Sequence, residues 1–228
     1  MISIIIPTLN DTRTLPPLLI YLRRVPFMEY ISEIIVCDGN STDDTVYVAE
    51  SFDIIVLKNI EGGRARQMNE GAKVAKGEIL YFLSPDSLPP RDFAVEIVNN
   101  FHNGISSGSF RLQFDHHHWL LRLKSWITRF NFNWFRFGGQ SLFINRDVFQ
   151  KIGGFREDVV LLQDFEIIPR IKEAGRFVVI PRYITTSARK YLDKGIFKLQ
   201  WAYFYIFALY RFGVSGQLLH KKYNELLG

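Results

Sequence analysis

Four short apolar runs, the first three each followed by a turn and then by a helical segment, constrain this chain more than any other feature of it. The runs are Ile2 to Ile6, Glu33 to Cys37, Asp53 to Leu57 and Glu78 to Leu83. Near-continuous apolar strands of this kind are buried on both faces. Between them, Leu15, Leu18, Leu19 and Leu22 fall at i, i+3, i+4 and i+7, one face of a helix, with Pro16 and Pro17 in its first turn, where proline is tolerated. Ser41 and Asp44 make a capping-box-like start for a second helix. Gly62-Gly63 opens a third, from about Arg64 to Lys76, striped by Ala65, Met68, Ala72 and Ala75, with Gly77 placed to cap its end. Strands alternating with helices predict an α/β fold, a mostly parallel sheet with helices on both faces.

In such sheets ligands collect beyond the C-terminal ends of the strands. Asn10, Asp38 and Asp86 all fall at or just past a strand end, so three strands aim polar groups at one edge. Asp38 can accept hydrogen bonds from a base or ribose; its plainer reading is a turn aspartate before Gly39. Arg64 and Arg66 follow the Gly-Gly pair at a helix start, where free N–H groups and the helix dipole attract phosphate and arginine adds bidentate contacts. Residues two apart do not share a helix face, so at most one of them is expected on a given phosphate. Asp86 is a lone carboxylate that can hold Mg²⁺ or Mn²⁺ against a diphosphate, or is simply the turn residue after Pro85.

The second half is less regular. Ser141 to Asn145 and Phe177 to Ile180 read as strands, and a helix is expected from near Asp164 to Ala174. Asp164 suits a helix N-cap, or a general base that takes a proton from a hydroxyl; Glu166 competes for the second role from another face. Three consecutive histidines, His116 to His118, cannot all converge on one ion from a regular element and read as structural or solvated. Gly195 to Val214 reads as an aromatic helix, broken by Lys198, Gln200 and Arg211. It fits either a helix closing the core or one lying on a membrane surface.

Composition sets the outer limits. The chain has 228 residues, 47% hydrophobic and 22% charged, as expected for a globular protein. The whole chain reads as one domain, with halves at about 1–104 and about 105–228, the second ending in helices. Cys37 is the only cysteine, so no intrachain disulfide forms, and it is read as a buried thiol in a reducing compartment. The net charge of +5 attracts anions without choosing among them. The basic residues form no stripe, which argues against nucleic acid. The N-terminal run reads as a strand and not a signal peptide, and no stretch is long and apolar enough for a spanning helix. A cytoplasmic location is expected, with attachment to the inner membrane surface left open, as is oligomeric state.

Taken together, these segments resemble glycosyltransferase family two, of the GT-A type. Ile4-Ile5-Ile6-Pro7-Thr8-Leu9-Asn10 is similar to the family's first strand and nucleotide loop, and Ile34 to Thr45 to its second. Gly63-Arg64-Ala65-Arg66-Gln67-Met68-Asn69-Glu70-Gly71-Ala72 resembles a block of short bacterial members. Gly153-Gly154-Phe155, Asp164 and Thr186-Ser187-Ala188-Arg189-Lys190 fit as well. The likeness covers about residues 1 to 215. It implies a GT-A, Rossmann-like sheet with a C-terminal helical segment, a nucleotide-binding half at about 1–104, an acceptor-side half at about 105–228, and an inverting transfer from a nucleotide-diphosphate sugar to a hydroxyl acceptor; a lipid-linked acceptor would suit the membrane reading of the aromatic helix. By the same resemblance, Pro7, Thr8, Asn10 and Asp38 would hold the nucleoside. Arg64 or Arg66 would meet the diphosphate or base, Asp86 would carry the Mg²⁺ or Mn²⁺, and Asp164 would be the base, with Gln140 and Arg189 on the acceptor side.

Three departures stand out. Ser84-Pro85-Asp86 replaces a histidine- or aspartate-led metal element, Gly138-Gly139-Gln140 stands where the subgroup has Gly-Asp-Gln, and Gln163-Asp164 replaces Glu-Asp. These motivate one alternative, a binding module that has lost turnover. A nucleotidyltransferase is another alternative, but the chain lacks the glycine- and arginine-rich N-terminal loop of such enzymes.

Overall fold

The computed structural model describes residues 1–129, 141–159 and 161–227. Its sheet has eight strands: β1 (Ile2–Thr8), β2 (Ile31–Asp38), β3 (Ile55–Leu57), β4 (Ile79–Phe82), β5 (Ser87–Leu88), β6 (Ser107–Phe114), β7 (Leu142–Asn145) and β8 (Phe177–Thr186). Their spatial order is β3-β2-β1-β4-β7-β6-β8-β5. The β3-β2-β1-β4 half is wholly parallel, β6 and β8 are also parallel, and β7 joins the halves antiparallel to both β4 and β6. The expected mostly parallel α/β sheet is therefore present.

The side-chain alternation of β1 assigns the two faces. Ile2, Ile4 and Ile6 pack with Leu15, Leu18, Leu19 and Leu22 of α1 (Leu15–Leu22) and with Phe93, Ala94 and Ile97 of α4 (Phe93–His102). Ile5, with Ile35 and Cys37, meets Ala65, Met68 and Ala72 of α3 (Arg64–Val74). The same face receives Phe149 of α6 (Arg146–Lys151) and Ile167, Ile168 and Ile171 of α7 (Gln163–Ala174).

Several local expectations are corrected. β1 continues through Pro7 to Thr8; Pro7 cannot donate a hydrogen bond but has a β-compatible φ. The expected capping box before α2 (Thr45–Glu50) does not form, because the Ser41 hydroxyl donates to Asp38 instead. Gly77 is not the cap of α3, which ends at Ala75; a Cβ on Gly77 would lie 2.7 Å from the Ser3 nitrogen, so its small size lets the chain pass close to β1. β8 runs on past Ile180 because Pro181 and Arg182 are looped out where its register with β6 shifts.

A third apolar cluster closes the C-terminal part. It joins Leu121 of α5 (Trp119–Ile127), Leu162 and Phe165 near the start of α7, and Tyr191 of α8 (Arg189–Lys194). Leu199, Ala202 and Ile206 of α9 (Ile196–Arg211) and Leu219, Tyr223 and Leu227 of α10 (Gly216–Leu227) complete it. The expected single helix over 195–214 is thus shorter and flanked by two others.

Candidate functional site

The site lies at the C-terminal edge of β1, β2 and β4. Two loops there are stitched to each other. The Asn10 amide donates to Ser41 Oγ at 2.9 Å, the Thr42 amide to Asn10 Oδ1 at 2.8 Å, and the Asp11 amide to Thr45 Oγ1 at 2.8 Å. Asn10 sits at φ 55°, a left-handed conformation that asparagine tolerates. Desolvation would raise the Asp43 carboxyl, yet hydrogen bonds from Thr12 and Thr45 hold it down to about 2.

Asp38 is buried, and both its oxygens are engaged within this loop pair. Oδ2 accepts from the Asn40 and Ser41 amides at 3.0 and 2.9 Å, while Oδ1 accepts from Ser41 Oγ at 2.5 Å and Thr8 Oγ1 at 3.5 Å. A carboxylate has about four lone-pair sites, and these four bonds use them. Asp38 thus holds the loop in shape, which accords with its reading as a turn aspartate and keeps it at the edge where a nucleoside is expected. Gln67, which sequence reasoning did not single out, ties the two strand ends together from α3. Its Nε2 donates to the carbonyls of Thr8 at 2.6 Å and Cys37 at 3.0 Å. A Cβ at Gly39 would stand 2.6 Å from that same nitrogen, so a larger residue there would displace the Gln67 amide from these carbonyls.

The two arginines part company, as helix geometry requires. Arg64, the first residue of α3, points into a cavity of about 240 Å³, whereas Arg66 is exposed and folds back over Gly62. Asn69, one turn further on, clamps the Gly153-Gly154-Phe155 turn. It accepts from the Phe155 amide and donates to the Phe155 carbonyl, both at 2.9 Å.

The cavity brings Arg64 together with Ser84, Asp86, Gln163 and Asp164. Asp86 is anchored to the end of β8: its carbonyl accepts from the Ser187 amide, and its Oδ1 from Ser87 Oγ at 3.1 Å and Thr186 Oγ1 at 3.5 Å. Asp164 is the second residue of α7, not its N-cap, which is Leu162 with no side-chain capping bond. Burial pushes the Asp164 carboxyl above its ordinary value, and the Arg64 charge opposes that push. Glu166, the competing candidate, does not line this cavity. It forms a two-pronged pair with Arg170, at 2.8 and 2.5 Å, and Arg170 also donates to the carbonyls of Ile152 and Gly154.

Asp11 is a further site residue that the sequence reading passed over, although it directly follows Asn10. Burial raises its carboxyl, the neighbouring Asp86 charge adds to the rise and the Arg64 charge opposes it. The Arg64 charge thus acts on both Asp11 and Asp164, and Asp86 shares its cavity.

Among the described residues no cluster of three His, Cys, Asp or Glu side chains could hold a metal by itself. Asp86 Oδ2 accepts no hydrogen bond from the described residues. One open carboxylate oxygen fits Mg²⁺ or Mn²⁺ of the kind that draws its remaining ligands from diphosphate and water. Gln140 lies outside the described residues. Arg189 opens α8 without lining the cavity, and its neighbour Lys190 takes that position. His118 caps α5 by accepting from the Leu120 amide, a structural role.

Residues 3–160 match the family described as Glycosyl transferase family 2. A PGL/p-HBAD biosynthesis glycosyltransferase of Mycobacterium bovis (strain BCG / Pasteur 1173P2) is 36% identical over 92 residues, covering 38% of this chain and 35% of that protein. Among solved structures, the mannosyltransferase PcManGT from Pyrobaculum calidifontis in complex with GDP-Man and Mn²⁺ superposes with a TM-score of 0.69 at 19% identity. That match covers 88% of this chain and 60% of the other. Staphylococcus aureus TarS 1-349 in complex with UDP-GlcNAc superposes at 0.65 and 15% identity, covering 82% and 58%. The chain thus spans about a third of the mycobacterial protein's length, and the two structures establish the GT-A architecture alone.

Proposed function

Since the chain belongs to glycosyl transferase family 2, we propose that it moves a sugar from a nucleoside-diphosphate sugar to a hydroxyl acceptor with inversion at the anomeric carbon. The observation that carries this reading is the meeting of Arg64, Asp86 and Asp164 in one cavity at the strand ends. Asp164 takes the proton of the acceptor hydroxyl. The acceptor oxygen then attacks the anomeric carbon from the face opposite the leaving group, and the bond to the diphosphate breaks. Arg64, at a helix N-terminus, stabilises the departing charge. A divalent ion, when bound on Asp86, would neutralise part of that same charge. Pro7, Thr8 and Asn10 form the nucleoside side, with Asp38 acting through the loop it holds. The UDP-GlcNAc and GDP-Man bound by the structural neighbours make uridine and guanosine diphosphate sugars the first donors to try.

A thermal-shift screen of common nucleoside diphosphates and their sugars, with and without Mn²⁺, tests the donor half. A ligand that binds only the folded chain raises its melting temperature. A shift with one base, larger with Mn²⁺ and reduced by Arg64→Met, is expected; no shift with any of them would sink the reading.

We also place the acceptor side against an anionic membrane surface, the setting for a lipid-linked acceptor. No helix among the described residues is long and apolar enough to cross a membrane. However, α5 exposes Trp119, Leu123 and Trp126 at i, i+4 and i+7, and α9 exposes Phe197, Trp201 and Phe204 at the same spacing. The His118 and Trp119 rings contact Phe197, joining the two stripes, and exposed Arg122 and Lys198 lie on the same helices. Tryptophan with flanking cations is the composition of an interfacial face. The opposite face of α9 closes the third core cluster, as the first sequence reading of this helix expects, and leaves the exposed stripe for the proposed membrane contact. Flotation with vesicles containing anionic lipid should carry the chain upward, and Trp126→Ser with Trp201→Ser should abolish it; a wild-type chain that stays behind would refute the placement.

A further inference from the structure

Two cations in the cavity have no part in the chemistry above. Lys124 enters from α5 and Lys190 from α8, both facing the space that Asp164 lines. Lys124 is half-buried. Its Nζ donates to Tyr191 Oη at 2.5 Å and stands 5.6, 5.1 and 5.5 Å from the ring centroids of Phe114, Tyr191 and Tyr203. The Lys190 Nζ is 5.3 Å from the Tyr223 ring. Among the described residues, neither ammonium lies within 4.0 Å of a carboxylate.

Holding two ammonium groups near each other without a counter-charge is costly. Burial pushes the Lys124 ammonium down to about 7, and the nearby Lys190 charge pushes in the same direction. Aromatic rings attract a cation but cannot neutralise it, and their bulk keeps water away, which strengthens any charge interaction made between them. An anion that bridges the two ammonium groups would remove their mutual repulsion. Two positive charges match a phosphate monoester, which is close to a dianion at neutral pH. The donor's diphosphate has Arg64 on α3 and Asp86 after β4, whereas the lysines come from α5 and α8 in the acceptor-side half.

We propose that Lys124 and Lys190 form a phosphoryl subsite for the acceptor, so that the acceptor carries a phosphate group whose neighbouring hydroxyl is presented to Asp164. The inference rests on the transferase reading for the identity of Asp164 as base. The lysines here bind and orient, while Tyr191 fixes the Lys124 ammonium through its hydroxyl.

The test uses the full chain, saturated with the nucleoside diphosphate that gives the largest melting shift. Inorganic phosphate and glycerol 3-phosphate are titrated by calorimetry. Vesicles of phosphatidylcholine with phosphatidate, or with phosphatidylglycerol at equal charge, are offered in parallel. The expected result is phosphate binding alongside the nucleotide, weakened at least tenfold in Lys124→Gln and in Lys190→Gln and largely kept in Lys124→Arg. Lysine-dependent preference for phosphatidate over phosphatidylglycerol would mark a lipid as the source; lysine-dependent binding of glycerol 3-phosphate alone would mark a free phosphate ester. Phosphate that only displaces the nucleotide would overturn the proposal and move both lysines to the donor. Phosphate binding that is absent, or unchanged in both variants, would overturn it outright. Lys190 is exposed, so Lys190→Gln stays informative even where Lys124→Gln folds poorly. Failure of every nucleotide to bind would instead strike the transferase reading, and the phosphate titration is then read without nucleotide.

Discussion

Replacing Asp164 with asparagine keeps the side chain's shape and removes its ability to take a proton. A positioned general base contributes roughly 10²–10⁴ in rate, or about 2.7–5.5 kcal/mol at 1.36 kcal/mol per decade. The structure argues for the upper part of that range. Asp86 is the other carboxylate lining the cavity, and it sits on the proposed metal and diphosphate side; Glu166 is bound into its pair with Arg170. Asp11 is tied to the Leu9 amide and the Thr14 hydroxyl, so among the described residues no nearby carboxylate is placed to take over, and Asp164→Asn should lower kcat about 10³-fold or more with little change in melting temperature. Glu166→Gln should do the reverse. It leaves the half-buried Arg170 without its counter-charge and should cost on the order of 1–3 kcal/mol of stability, while the folded fraction still turns over. The pH profile adds an independent check. Because burial raises the Asp164 carboxyl and Arg64 holds that rise in check, the wild-type rate should climb with pH on an acid limb set by Asp164. Arg64→Met should move that limb to higher pH, and Asp164→Asn should erase it. The assay is release of nucleoside diphosphate from the donor found by thermal shift. An Asp164→Asn enzyme within about threefold of wild type, or a folded Glu166→Gln enzyme without turnover, would refute the assignment.

Three further outcomes can be checked. Asp86→Asn should abolish the extra melting shift that Mn²⁺ adds to nucleotide binding while leaving much of the metal-free shift, which Arg64 supports; an unchanged Mn²⁺ effect would remove the metal from Asp86. Gly71→Ala should destabilise the chain, because the new methyl would lie 2.6 Å from Ile5 Cγ2 and 2.7 Å from Cys37 Sγ. Overpacking costs about 1–3 kcal/mol, partly offset by roughly 1 kcal/mol of better helix propensity, and equal or higher stability by urea melts would contradict the packing. Lys124, held at about 7 in the fold and near 10.4 when unfolded, should make stability rise with pH between those values and add no slope below them. The slope should be read between about pH 7.5 and 9.5, before the unfolded chain's tyrosines titrate, and should flatten in Lys124→Met.

How much of this was legible in the sequence follows the range of the interactions involved. The parallel half was readable because β1, β2 and β4 are apolar on both faces, and α1 and α3 carry single stripes against them. β6 was not read. Its Ser107-Gly108-Ser109 start resembles a loop, and the reason for the small residues lies far along the chain, where a Cβ on Gly108 would meet the Phe143 ring at 2.6 Å. β8 was read only as far as Ile180, since Pro181 signals a break and nothing local announces a bulge.

The site divides along the same line. Asn10, Asp38, Arg64 and Asp86 stand immediately after local signals, strand ends and a Gly-Gly helix start, and the structure gathers their loops and side chains at one edge of the sheet. Gln67 was hidden because its contacts are with the main-chain carbonyls of Thr8 and Cys37, which leave no periodic mark. The cavity's second wall was hidden more deeply. Lys124, Lys190, Tyr191, Tyr203 and Tyr223 are spread over four helices and meet only because the third apolar cluster draws α5, α8, α9 and α10 together. Read along the chain, each lysine is one more exposed charge on an amphipathic helix. A charged group becomes informative only when the fold takes away its water without supplying a carboxylate, and in this chain that condition is created by tyrosine rings on helices remote in sequence. The proposed donor edge could therefore be read from motifs, whereas the proposed acceptor chemistry rests on a charge that no carboxylate balances among the described residues.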